Sequence, residues 1–418
     1  MEKRTLSNNV RLVLEKDTSI RSVSAGIWVS TGSRFEQPEE NGSAHFIEHM
    51  LFKGTKQKTA SEIAEAFDAM GGYVNAMTSK EYTAYYAKVL DTHAASAVAL
   101  LTEMFFESRF DAGEMEKEKQ VVLEEIHMYD DTPDDLVHEM LAEAAFGRHP
   151  IAAPILGTEE TLISFNESRL RDFMKRHYGG ERLVISIAGN FTDELVDQVS
   201  DAFTSSAHDG EPLQLEKPVF QGNVLTKKKK TEQAHLCFGY EGVSLTDDTI
   251  YSAVLLNNVL GGNMSSRLFQ EIREERGLAY AVYSMHEAFR DTGLLTIYAG
   301  THEKHLDETV DIIKRVTNDV KENGLTEKEL TNAKEQLKGN LLLSLESSSS
   351  RMNRNAKNEL FLGRSLPIDE MVEAIDAVSM HAIQYTARLI LHDNPAVSLV
   401  STAGSLPASL RNRTAVEC

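Results

Sequence analysis

The chain has 418 residues, 41% of them apolar and 26% charged, and carries a formal net charge of −21. That length exceeds one ordinary core and predicts two or more domains of a soluble globular protein. The charge argues against nucleic acid and anionic membranes as partners, and the absence of an apolar run of about 18 residues argues against a membrane span.

Taken in chain order, residues 10–14 (VRLVL) read as a short strand with no signal-type apolar segment beside it. Strand patterns follow at 22–30 and 83–89, with helix patterns at 60–70, 93–107 and 114–128. Between them, 71–78 (GGYVNAMT) reads as a turn leading into a strand. Further strands are expected at 183–188, 235–240, 294–299 and 397–402. Strands and helices mix without strict alternation, so the class is α+β with largely antiparallel sheets and helices packed on them. The stretch 207–219 is polar, with two prolines and a glycine. It predicts a linker at 208–219 between an N-terminal domain, 1–207, and a C-terminal domain, 220–418. The following lysine run, Lys227 to Lys230, reads as a solvated edge. Two cysteines, Cys237 and Cys418, are too few for a disulfide framework. They read as a buried inert thiol and a chain tail, and they fit a reducing, cytoplasmic compartment.

The two halves look like copies of one another. Ala188-Gly189 and Ala403-Gly404 lie 215 residues apart, as do 110–125 and 325–340, while 25–32 resembles 233–242 at a slightly shorter offset. The copies are not chemically equal. Where the first has His45 and His49, the second has the histidine-free stretch 255–260, and opposite Glu125 stands Asn340. Only the first copy is expected to hold a metal.

The segment His45-Phe-Ile-Glu-His49 carries that expectation. On a helix, two histidines four apart share a face and can reach one ion. Glu48 borders that face and is placed to act as a general base. H-x-x-E-H is the inverted form of a zinc-peptidase signature; the plainer reading is a helix with two surface histidines. A catalytic zinc needs a third protein ligand. The helix pattern at 114–128 offers Glu118, Glu124 and Glu125, with Glu118 and Glu125 on one face two turns apart. A plain acidic surface is the competing explanation.

The residues 45–55 (HFIEHMLFKGT), 71–83 (GGYVNAMTSKEYT), 118–125 (EKQVVLEE) and 273–280 (REERGLAY) together resemble the insulinase/pitrilysin metallopeptidases. The likeness is to the half-length branch that includes bacterial and mitochondrial processing peptidases. It implies two homologous domains and one Zn2+ per chain, held by His45, His49 and Glu125, with Glu48 as base. Glu118 is implied to orient a metal-binding histidine. Asn75 and Ala76 are implied to lie on an edge strand that receives the substrate peptide, and Phe52 to line the pocket after the scissile bond. Arg273 and Tyr280 are implied to bind the substrate backbone and steady the tetrahedral intermediate, although Arg276 and Tyr283 repeat their spacing. Asp135 and Glu139 match an acidic pair that receives an arginine upstream of the cut. The expected function is a zinc endopeptidase acting on peptides or unfolded segments in a closed chamber. The expected assembly is a homodimer, with a heterodimer with a homologous chain as the alternative. The alternative function is a non-catalytic subunit or peptide-binding scaffold of the same family.

Overall fold

The computed structural model describes residues 1–208, 210, 212–411 and 413–417. Asp209 and Glu211 of the expected linker, and the tail residue Cys418, lie outside the described residues. Two compact units emerge. The first comprises Met1–His127, Ala153–Leu215 and Leu342–Leu366; the second comprises Met128–Ala152, Glu216–Leu341 and Pro367–Cys418.

The first unit is built on a six-stranded sheet. Its strands are β1 (Glu2–Thr5), β2 (Arg11–Lys16), β3 (Ser22–Val29), β4 (Tyr73–Thr78), β5 (Thr83–Leu90) and β6 (Leu183–Gly189), in the order β1-β2-β6-β3-β5-β4. Only β2 and β6 run parallel; the other neighbours are antiparallel. β3 and β6 are buried on both faces and read as near-continuous apolar runs. Edge strand β4 instead alternates between exposed and half-buried residues. On one face lie α1 (Ser43–Leu51), α2 (Ala60–Ala69), α3 (Ala94–Glu107) and α4 (Ala112–Asp131), whose apolar stripes close the main core with Phe46, Ile47, Met50, Ile63, Phe67, Met104 and Val122.

The second unit repeats the plan with β7 (Val224–Lys228), β8 (Ala234–Gly242), β9 (Ala279–Ala288), β10 (Gly293–Thr301), β11 (Ala396–Ser401) and β12 (Ala415–Glu417). Their order is β12-β7-β11-β8-β10-β9. Strands β7, β11, β8, β10 and β9 reproduce the pairing directions of β2, β6, β3, β5 and β4, which makes the duplication visible in topology. β12 departs from it: it runs parallel to β7, whereas β1 runs antiparallel to β2.

The contiguous domains expected at 1–207 and 220–418 need correcting. Each sheet has a second apolar face, and the helix that covers it comes from the other copy in sequence. Helix Ser348–Leu362 lays Met352, Ala356 and Leu360 on Val13, Trp28, Ala84 and Val184 of the first sheet. Helix α5 (Pro133–Phe146) lays Val137, Leu141 and Ala144 on Leu225, Cys237, Tyr298 and Val400 of the second. One hydrogen bond recurs in both. Ser186 Oγ donates to the Met352 carbonyl at 2.9 Å, and Ser398 Oγ donates to the Val137 carbonyl at 2.6 Å. Val137 and Met352 are 215 residues apart, the offset of the duplication. Hydrophobic alternation identifies a helix that must be buried but not the sheet that buries it, so the exchange leaves no mark in the sequence. The boundary at Leu215/Glu216 does fall inside the expected linker.

The lysine run is not simply a solvated edge. Lys227 pairs with Asp130 at 2.7 Å and Lys229 with Asp131 at 3.2 Å. Among the described residues, no helix is long and apolar enough to cross a membrane.

Candidate metal centre

The first unit holds one convergence of metal-ligating side chains among the described residues: His45, His49 and Glu125, with one ligand atom of each within 4.8 Å of the others. Local sequence explains the placement. In α1 the buried residues Phe46, Ile47, Met50 and Leu51 take the core side, which leaves His45, Glu48 and His49 on the opposite face. In α4 the buried positions are Met115, Glu118 and Val122. Glu118 therefore occupies a place in an apolar stripe, and Glu125, two turns on, continues that face toward α1. Glu124 is exposed and takes no part.

The start of α1 is held by a residue that sequence reasoning missed. Buried Glu36 accepts the backbone N–H of Gly42 at 2.7 Å and of Ala44 at 2.7 Å, and the Asn41 amide at 3.1 Å. It thus satisfies N-terminal donors of the helix that carries both histidines. Burial pushes its carboxyl up to about 8 despite these three bonds. Gly42 has φ +91°, and a Cβ there would meet the Leu156 carbonyl oxygen at 2.6 Å, so only glycine fits.

At the centre, Glu125 Oε2 lies 3.9 Å from His45 Nε2 and 3.7 Å from His49 Nε2. Ligands bonded at about 2.0–2.2 Å around a tetrahedral ion sit roughly 3.4 Å apart, so small side-chain adjustments suffice. Two imidazoles and a carboxylate are also the donor set of a three-ligand catalytic zinc site. Charge points the same way. Glu48, Glu118 and Glu125 surround the two imidazoles, and Lys53, 2.6 Å from Glu118, is the cation paired there. The site is short of positive charge, and a divalent ion would supply it.

Burial, reinforced by His49, lowers His45 to about 3, which keeps its imidazole neutral and its lone pair available. Burial also acts to lower His49. There it is outweighed by the Glu118 hydrogen bond and by the charges of Glu125, Glu118 and Glu48, so the net shift is upward. The carboxylates around His49 thus favour positive charge there, which a bound cation would supply. Glu118 Oε1 lies 2.8 Å from His49 Nδ1 and fixes the ring with Nε2 toward Glu125. Burial raises Glu118, but its bonds to His49 and Lys53 prevail and hold it below the usual carboxylate range.

Glu48 is raised by burial, against the opposing effect of a hydrogen bond from Thr78 Oγ1 at 2.5 Å. Thr78 closes edge strand β4, so the strand expected to receive substrate also positions the expected base. On that strand Asn75 Oδ1 accepts the Ala76 N–H at 2.9 Å, and Asn75 Nδ2 donates to the Tyr73 hydroxyl at 2.6 Å. Phe52 caps the end of α1, half-buried against the core.

The other expected residues belong to the second unit. Arg273 lies in a π-helical turn, Phe269–Glu275, and Tyr280 in β9. The Arg273 guanidinium stacks 4.8 Å from the Tyr280 ring. The alternative pair is engaged elsewhere: Arg276 with Glu308 at 3.2 Å, and the Tyr283 hydroxyl with His138 at 2.9 Å. Asp135 is exposed and Glu139 half-buried on α5. Glu36, Thr78 and Lys53 were not anticipated. Glu36 has no signal in a single sequence, whereas Thr78 and Lys53 stand inside the segments that carry the family likeness.

Comparison with known proteins agrees with this geometry. Residues 11–159 match the profile of insulinase (peptidase family M16), and residues 164–337 match that of the peptidase M16 inactive domain. An uncharacterized zinc protease of Bacillus subtilis, YmxG, is 52% identical over 404 residues, covering 97% of this chain and 99% of its own length. An uncharacterized zinc protease of Streptomyces coelicolor is 39% identical, covering 97% of this chain and 90% of its own. Among solved structures, a peptidase M16 inactive domain from Pseudomonas fluorescens superposes with a TM-score of 0.90 at 19% identity, covering 97% of this chain and 98% of that one. A protease from Helicobacter pylori superposes at 0.89 with 21% identity, covering 96% and 98%. At those identities the structures speak for the fold. With the relatives and profiles, they establish that the chain belongs to the insulinase family of peptidases, M16.

Proposed function

We propose that this chain is a zinc-dependent endopeptidase acting on peptides and unfolded segments. The observation that carries the reading is the convergence of His45, His49 and Glu125 beside a buried Glu48 that Thr78 holds in place. The likeness to the Bacillus and Streptomyces zinc proteases supports it.

When bound, zinc supplies Lewis-acid chemistry that acidifies water and polarises a carbonyl oxygen. The protein's part is orientation and proton handling. His45, His49 and Glu125 hold the ion, and Glu118 fixes the His49 ring. Glu48 takes the proton of the attacking water and delivers it to the leaving amine. Burial raises its pKa, which helps it hold the proton between the two transfers. Edge strand β4, with Asn75 and Ala76, receives an extended peptide by main-chain pairing, which demands little of its sequence. Phe52 lines the pocket beyond the cut bond.

In our reading Arg273 and Tyr280 steady the developing oxyanion, and Asp135 and Glu139 favour a basic residue near the cut. Two copies associate around the substrate, so that Arg273 and Tyr280 of one serve the zinc site of the other. A chain of a Candida albicans complex III shares the fold with a TM-score of 0.81 at 20% identity, covering 99% of this chain and 100% of that one. That likeness speaks for fold alone, and the intact set His45, Glu48, His49 and Glu125 favours catalysis over a non-catalytic subunit. Quenched-fluorescence peptides test the proposal. Cleavage that stops on chelation and returns with zinc supports it; a metal-loaded chain that leaves every peptide of a diverse library intact refutes it.

A further inference from the structure

The second unit holds a concavity of about 520 Å³ whose wall combines Arg273, Tyr280, His302, Lys304 and His305 with one carboxylate, Glu232. In a chain of net charge −21 this is a local reversal of sign. Each basic member is presented by an irregular piece of backbone. Arg273 sits in the π-helical turn, and its guanidinium lies 4.8 Å from the ring centroids of both Phe269 and Tyr280. Cation–π contact with two rings restrains the group and leaves its N–H donors without a hydrogen bond among the described residues. Its neighbouring carboxylate, Glu274, lies 3.8 Å from Nε, beyond hydrogen-bond length.

Tyr280 is the extra residue of a β-bulge: Gly300 pairs with Ala281 and Thr301 with Ala279, so Tyr280 has no partner in β10. The bulge turns its ring outward, and 76% of the residue is exposed. Lys304 and His305 come off one short turn, Glu303–His305, and His302 caps its start, where the Lys304 backbone N–H donates to His302 Nδ1 at 3.3 Å. The acidic member of that turn is occupied elsewhere, since Glu303 accepts the backbone N–H groups of Thr402 and Ala403 at 3.2 Å each. The Lys304 ammonium makes no ion pair among the described residues.

We infer that this concavity is a carboxylate-binding subsite for the peptide, taking its C-terminal carboxylate or the side chain of an aspartate or glutamate. A planar guanidinium has two N–H edges, so Arg273 can serve the scissile carbonyl with one and a carboxylate with the other, while Lys304 and the imidazole N–H groups add donors from other sides. The volume suits the end of a peptide or one of its side chains. The peptide nature of the ligand rests on the peptidase reading; the charge preference rests on this wall alone.

Fluorescence anisotropy tests it with the full-length, zinc-loaded chain carrying Glu48→Gln, so that ligands are not consumed. Three labelled peptides of otherwise identical sequence serve as probes: a glutamine peptide as free acid, the same peptide as C-terminal amide, and the amide with one internal glutamine replaced by glutamate. The free acid is expected to bind about tenfold tighter than the amide if the terminus is the ligand. The glutamate amide is expected to recover that tightness if a side chain is. In either case the exposed substitution Lys304→Met removes the advantage and leaves the plain amide's affinity unchanged. Equal binding of all three probes overturns the inference, as does equal weakening of all three by Lys304→Met. The peptidase reading fails separately, if the wild-type chain cleaves none of the three while the anisotropy still discriminates among them.

Discussion

Replacing Glu118 by glutamine tests whether a buried carboxylate tunes His49. Glu118 is 4% exposed, with one oxygen 2.8 Å from His49 Nδ1 and the other 2.6 Å from Lys53 Nζ. Glutamine keeps the volume and still accepts one bond, but the negative charge is gone. A hydrogen bond to a charged group contributes about 1.5–3 kcal/mol and a neutral one about 0.5–1.5, so the change costs on the order of 1.4 kcal/mol, or tenfold. Partners in this position typically alter metal affinity about 10- to 100-fold. The zinc Kd above the His49 pKa is therefore expected to rise at least about tenfold. The pH dependence carries a second signature. His49 is raised in the metal-free site, so zinc must displace a proton, and its affinity falls as pH drops through that raised value. Without the Glu118 charge His49 titrates lower, so the variant's affinity curve moves to lower pH and the gap from wild type narrows on the acidic side. Competitive titration against a fluorescent chelator at several pH values reads both effects. An unchanged Kd at alkaline pH, or curves of identical midpoint, would refute the reasoning.

Three further perturbations address other parts of the account. Thr78→Val removes the hydrogen bond that holds Glu48 down, so the acidic limb of kcat/KM should move to higher pH with zinc content unchanged; a stationary limb counts against Thr78. Glu36 is pushed up to about 8 from an ordinary 4.5, so between those values the folded chain holds a proton that the unfolded chain has lost. Its contribution to stability therefore falls as pH rises from about 4.5 to about 8. Glu36→Gln should flatten that slope in denaturant midpoints, and an undiminished slope contradicts it. Ser186→Ala and Ser398→Ala each remove the bond to an exchanged helix and should each cost about 1 kcal/mol by urea unfolding; no loss in either would mean that apolar packing alone seats these helices.

Much of the site was legible in the sequence because its information is local. His45, Glu48 and His49 lie on one face by helical period, and Glu118 and Glu125 share another for the same reason. The strands expected at 22–30, 83–89, 183–188, 235–240, 294–299 and 397–402 are found within a residue or two, since buried β-runs announce themselves. What escaped is what depends on contacts between distant segments. Residue identity at Glu36 does not reveal a helix start beside it, and periodicity in 133–146 or 348–362 does not reveal the sheet that each covers. Irregular backbone is the other blind spot. The π-turn that carries Arg273 and the bulge that turns Tyr280 outward leave no pattern, yet they shape the basic concavity. The choice of Glu125 over Glu124 needed the family likeness, because an isolated helix offers both; in the fold Glu124 faces solvent.

The central claim is that Glu48 does the proton chemistry while His45, His49 and Glu125 hold the metal. Zinc content and peptide turnover measured together on Glu48→Gln test it most directly. The account predicts one zinc per chain, unchanged secondary structure, and turnover lowered by about 10²–10⁴ or more. A variant that carries its zinc and cleaves at the wild-type rate would contradict it.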